Sequence, residues 1–402
     1  MFPKSLRLCA LFGAGAVAFS CIALADNDDH DSGAVRLLAT VPVPGSVKMK
    51  AFDISWVDAD TQLYYLADRS NAAVDVVDAK HGTFVRFIHG GFKGFTGDND
   101  TSGPNGVVVS GHWLFVTDAP SRVVTIDLRN DTIVGEVNTG GGTKLSSGLG
   151  LRADELAYDP EDSLILAVNN ADDPPFATLI KVDRNTGALT VQKRITFDAA
   201  HGVDATNGAE QPQWNPGNGR FYLSIPQVGP NEKDGAVAKI NPNGNLEALF
   251  PVEFCQPAGL TIGPKQDLLL GCSVVFDTAG NSWTRDATAT APAAAPISII
   301  MDARNGSIDR NVAGVSGSDE VWFNPGDGDY YLAARGNAVG PTLGVIDAKK
   351  QTLEQLVPTV NQSPGSAHSV AVNARNNHAL VPLPANNVVA GCLNGCIAIY
   401  GR

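Results

Sequence analysis

Five residues of this 402-residue chain, Asn105, Asp154, Glu210, Asp319 and His368, stand at one point of a recurring unit, just ahead of an apolar run. Phe52 and Ala258 take the same place in two further units. If the units surround an axis, three carboxylic acids, an amide and an imidazole converge there. Converging carboxylates repel, and they relieve the repulsion by protonation, by turning to water or by holding a cation. Glu210, Asp154, Asn105 and Asp319 are the expected metal ligands, an oxygen set that suits Ca²⁺ or Mg²⁺, while one imidazole admits Zn²⁺ or Mn²⁺. A divalent cation held there polarises a carbonyl or acidifies water, with His368 and Asp319 as the catalytic acid–base groups. The plainer alternative is a polar channel holding only water, because Asp, Asn and His also serve as turn formers. Asp53, Glu155, Gln211 and Glu320 lie one position further in, and a one-residue slip in register would exchange them with their neighbours.

The elements that must position these groups are strands. Compare 56–78 (WVDADTQLYYLADRSNAAVDVVD), 109–127 (VSGHWLFVTDAPSRVVTID), 158–183 (YDPEDSLILAVNNADDPPFATLIKVD) and 323–347 (FNPGDGDYYLAARGNAVGPTLGVID). Each is an apolar strand, a turn, a second strand rich in Tyr, Leu and Val, and a third ending in Asp. A more polar fourth strand follows, as at 83–88 and 132–137. Seven such units, at about the 40–50 residue period of a propeller blade, predict an all-β, seven-bladed β-propeller with four-stranded blades; eight blades is the weaker count. No 3.6-residue apolar period appears, which excludes a helical protein. The seventh unit lacks a fourth strand, and 35–43 is a spare one. Pairing the two closes the ring and removes an open sheet edge.

Long connections at 90–104, 138–153 and 198–209 each precede a first strand and are expected on the face where the funnel opens. His201, in the last of them, could overhang its mouth. Asp98 and Asp100 resemble part of a calcium loop without its glutamate and read as an ordinary turn. The stretch 274–296, with TRDATATAPAAAP, reads as an exposed flexible loop inserted in blade 5.

At LYYLADRSNAAVDVVD and LFVTDAPSRVVTID the chain resembles the YVTN-repeat propellers, the YncE-like group of exported bacterial proteins. The resemblance covers nearly the whole mature chain and implies architecture; many members of the group have no assigned activity. Glu210-Gln211-Pro212-Gln213-Trp214 and Asn105-Gly106-Val107 also resemble the Glu-Gly-Pro-x-Trp and Asn-Gly-Leu openings of the gluconolactonase and senescence-marker propellers. That likeness implies a metal-dependent lactone hydrolase, although Gln211 replaces the glycine and that family usually has six blades.

The first residues read as a cleaved signal peptide: Lys4 and Arg7, an apolar stretch from Leu8 to Leu24, and small residues ending at Ala25. Lipid attachment at Cys21 is disfavoured by the Ala18-Phe19-Ser20 that precedes it. The expected division is 1–25 signal, 26–34 flexible segment and 35–402 propeller, placing the protein in the periplasm or outside the cell. No stretch is long enough to span a membrane. Four cysteines remain after cleavage, and Cys255 with Cys272 and Cys392 with Cys396 are expected as local disulfides in an oxidising compartment. Lys+Arg 29 against Asp+Glu 42 gives a net charge of −13, and loss of Lys4 and Arg7 makes the mature chain more acidic. Such a field disfavours nucleic acid and favours cations or neutral ligands. There is no G-x-S-x-G, P-loop, G-x-G-x-x-G or H-E-x-x-H motif.

Two functions stay open on this reading. One is a divalent-cation-dependent, lactonase-like hydrolase acting on a small molecule. The other is a non-catalytic, YncE-like exported platform whose loops hold a protein, glycan or metal without turnover. A monomer is expected in either case.

Overall fold

In the computed structural model, residues 33–140, 151–283 and 295–402 are described. The signal-peptide assignment, most of 26–34 and the core of the blade-5 insertion lie outside them. The described strands form seven antiparallel sheets. Blade 1, typical of the set, runs Ser55–Asp58, Leu63–Asp68, Ala73–Asp78 and Thr83–Ile88 in sequence order. The protein is a seven-bladed β-propeller.

Residue type decides where each strand sits. Second and third strands such as Leu63–Asp68 and Arg122–Asp127 are buried along almost their whole length. They are covered on both faces by neighbouring blades, so they read as unbroken apolar runs. Fourth strands such as Thr132–Asn138 are largely exposed, even where they carry Ile133 and Val134. The apolar side chains gather into seven clusters among the described residues, each joining two adjacent blades; one joins Leu66 and Val77 of blade 1 to Leu380 and Ile399 of blade 7. Hydrophobic stabilisation is thus spent between blades, leaving the axis free for polar groups.

The ring closes as expected. Arg36–Pro42 pairs antiparallel with Cys396–Gly401 as the outer strand of blade 7. It is a true fourth strand by its bulge. Blades 1 to 6 each shift register between third and fourth strands, as at Val76/Val77 and Val345/Ile346. The N-terminal strand makes the same shift between Leu37 and Ala39. Gln355 of blade 6 adds two backbone bonds to Val35, and Arg402 reaches Asp329 and the Gly33 carbonyl.

Cys255 and Cys272 are bonded across the first and second strands of blade 5, and Cys392 is bonded to Cys396. The blade-5 insertion starts later than the sequence suggested. Asp267–Phe276 continues as strand past Val274 and folds back on Ser282–Trp283 before Ile297–Asp302 resumes the sheet. Helix is confined, among the described residues, to three short 3₁₀ turns. No helix there is long and apolar enough to cross a membrane.

Candidate functional site at the upper end of the channel

First strands run along the axis, so the residue just before each one rings the channel. Strand pairing fixes which residue that is. Val107, Leu156, Pro212, Leu260 and Val321 each pair with the fourth residue of their second strand. Two positions earlier stand Asn105, Asp154, Glu210, Ala258 and Asp319, as expected. In blade 1 it is Ser55 that makes this pairing, with Leu66, so the rim residue is Asp53 and not Phe52. Phe52 is buried beside the rim, stacked on His368.

Above this ring is a cavity of about 470 Å³ lined by Asp53, Glu210, Asp319 and His368, together with Arg69, Arg152 and Arg335. The connection 90–104 supplies Phe95, Asp98 and Asn99 to its wall, which places that crossing on the funnel face. Asp98 caps a 3₁₀ turn by accepting from the Asp100 amide, an ordinary turn role. His201 stands exposed, 2.6 Å from Asp198, and is not among the residues that line this cavity.

The arginines were invisible to a search of first strands alone, and they change the electrostatics. Arg69 is 3 % exposed; it pairs with Asp53, lies 3.9 Å from Asp154 and donates from Nε and Nη2 to Asn105 Oδ1. Arg152 lies 3.0 Å from Asp154 and 3.5 Å from Asp53. Arg335, half exposed, pairs with Asp319 at 2.9 Å. Asn105 also donates to the Ala153 carbonyl. Asn105 and Asp154 therefore lie beneath guanidiniums, while Glu210, Asp319 and His368 face the cavity. Among the described residues no three His, Cys, Asp or Glu side chains are grouped so as to hold one metal ion.

Each carboxyl answers to its own neighbours. Burial alone would raise Asp53, but the Arg69 charge, the His368 hydrogen bond and Arg152 hold it well below the usual carboxylate range. Burial pushes Asp154 up to about 7, with Arg152 pulling against it and the Asp53 charge adding to the rise. Glu210 has no cationic side chain in ion-pair contact among the described residues. Burial, then the charges of Asp154 and Asp319, carry it to about 8 against the pull of Arg152. A carboxyl with that value is largely protonated at neutral pH and so has a proton to offer a ligand. Both nitrogens of His368 are engaged: Nδ1 is 2.9 Å from the Ser366 carbonyl and Nε2 is 3.1 Å from Asp53 Oδ1.

Below the ring, Glu155, Gln211, Glu320 and Ser369 form a second layer. Glu320 accepts from Ser369, the Val370 amide and Trp322 Nε1, and Ser369 meets Ser55. Burial nevertheless lifts the Glu320 carboxyl to about 8. Gln211 Oε1 accepts from the Leu260 amide at 2.8 Å.

No family model matches the chain, and no curated protein matches it. Among solved structures, one titled Kuenenia stuttgartiensis Hydrazine Synthase superposes with a TM-score of 0.65 at 11% identity, covering 90% of this chain and 97% of that one. At that identity the likeness shows the propeller and nothing finer.

Proposed function

We propose that the protein is an exported binding propeller, a divergent YncE-like protein whose upper funnel holds a small polar ligand bearing both anionic and cationic or hydroxyl groups, without turnover. One observation carries this reading: the 470 Å³ cavity is walled by both carboxyl and guanidinium groups, with Glu210 as the carboxyl lacking a close cationic partner. Such a wall offers donors and acceptors in fixed places, which orients a polar ligand. The engagement of both His368 nitrogens favours binding over acid–base chemistry, because each already faces an acceptor, the Ser366 carbonyl and the Asp53 carboxylate, and neither is directed at a ligand. Two disulfides support residence in an oxidising compartment.

A thermal-shift screen of the mature protein against amino acids, aldonic acids and their lactones tests the proposal. The expected result is a ligand that raises the melting temperature of the wild type, fails to do so with Glu210→Gln or Arg335→Ala, and is recovered unchanged. Recovery of a hydrolysed lactone would overturn it.

The metal-dependent hydrolase retains one supporting observation, since the charges of Asp154 and Asp319 that raise Glu210 are what a divalent ion would offset. Metal content of the purified protein, with Glu210→Ala alongside, separates the two. Stoichiometric metal lost in the variant, with lactone turnover lost on chelation, selects the hydrolase.

A further inference from the structure

The channel has a second cavity at its lower end, separated from the funnel by the layer of Glu155, Gln211 and Glu320. Its volume is about 300 Å³, and its walls include Trp56, Tyr158, Trp214 and Trp322 with Val108 and Pro212. That size is at the small end for ligand pockets. Trp56 and Trp322, from blades 1 and 6, meet edge to face with centroids 5.1 Å apart and planes at 79°. Both indoles are half-buried and line the cavity, so they keep ring surface turned toward it.

Glu155 is the carboxyl in this wall that the protein leaves without a partner, and the buried Nε1 groups of Trp56 and Trp214 beside it are also unpaired. Its side chain is 7 % exposed, and among the described residues no donor or cation lies within hydrogen-bond or ion-pair reach of its carboxyl. Its layer neighbours differ: Glu320 has three donors and Gln211 has the Leu260 amide. Burial, and then the charges of Asp154, Glu320, Glu210 and Asp319, raise its carboxyl well above the usual range. A buried carboxyl among acids keeps its proton, and releases it to solvent when a cation settles beside it.

We propose that this lower cavity is a binding site for a methylated ammonium group, held by the indole and phenol rings with Glu155 as counter-ion. The wall chemistry selects this class of cation. A hard metal ion needs six or more oxygen donors, whereas these walls are aromatic and aliphatic apart from Glu155 and a few amide and hydroxyl groups. A quaternary ammonium is weakly hydrated, sheds its water readily and is attracted to aromatic faces. The acidic surface of the protein draws such cations toward it. The site is independent of the funnel ligand, since the two cavities share no lining residue.

Calorimetry and tryptophan fluorescence on the wild-type protein test this with three probes: tetramethylammonium, choline and 3,3-dimethylbutan-1-ol, the neutral carbon analogue of choline. The expected result is one saturable site for the two cations, with the neutral analogue at least tenfold weaker. Glu155→Gln is expected to weaken choline at least tenfold while leaving the neutral analogue unchanged. Equal binding of choline and its neutral analogue overturns the proposal, as does absence of saturable binding by any probe. The wild-type comparison decides the matter even if the variant fails to fold.

Discussion

The imidazole of His368 lies flat against the phenyl ring of Phe52, with centroids 5.2 Å apart and planes within 7° of parallel. The rings belong to blades 7 and 1, which meet where the two ends of the chain are joined. Phe52 is thus a backing plate for the imidazole that faces the funnel, and its neighbour Asp53 holds Nε2 of the same ring.

Phe52→Ala removes that support and opens a void in a site 2 % exposed. The expected cost is about 3–5 kcal/mol in urea unfolding, with Phe52→Leu losing far less. Equal stability of the alanine variant and wild type would show that the stacking is incidental.

Arg69 and Arg335 occupy the same place in blades 1 and 6, each directly after the second strand. Their surroundings differ, so their variants should differ. Arg69→Ala leaves Asp53 buried and deprived of its main cation, costing about 3–5 kcal/mol. Arg335→Ala breaks a pair open to water, costing about 0–1 kcal/mol. Comparable losses for the two would refute the burial argument.

Stability should fall as pH rises from 5 to 8. Asp68 is raised to about 6 and Asp154 and Asp329 to about 7, in each case first by burial. A carboxyl raised on folding binds its proton more tightly in the folded state. Its contribution is full below the unfolded value and is lost as pH climbs through the folded one. Asp53, held low, acts with the opposite sign, but only below the usual carboxylate range. Asp75 is fully buried, its polar neighbour is the Asp68 carboxyl, and burial and then the Asp68 charge and hydrogen bond raise it strongly. Asp75→Asn should therefore add about 1–3 kcal/mol at pH 8 and flatten the slope. Urea midpoints at pH 5, 6, 7 and 8 measure both effects.

The two disulfides should differ in worth. Cys255–Cys272 closes 17 residues and Cys392–Cys396 closes 4. Loop entropy assigns about 3 kcal/mol to the first and about 2 kcal/mol to the second. Paired serine variants compared by urea unfolding under oxidising conditions check the order.

The architecture was legible because each blade repeats one apolar pattern, and closure was legible because one unit lacked a strand. The rim was legible in six blades of seven. The slip in blade 1 came from treating Trp56 as the counterpart of Tyr158. Tyr158 pairs with the second residue of its neighbour strand and Trp56 with the third, so the two side chains point to opposite faces. Val57 is the true counterpart. The guanidiniums were missed because their carriers lie outside the first strands, although LADR and LAAR at Arg69 and Arg335 repeat at one position. The lower cavity was not legible at all, since only the folded ring brings Trp56 and Trp322 together across blade 7.

Arg36–Pro42 is made early, yet the strand it pairs with ends at Gly401. The earliest strand of the toroid therefore has no partner until the latest one is made. The ring is thus closed by a latch of one strand pair, and removal of either partner would turn a closed toroid into an arc with an open sheet edge.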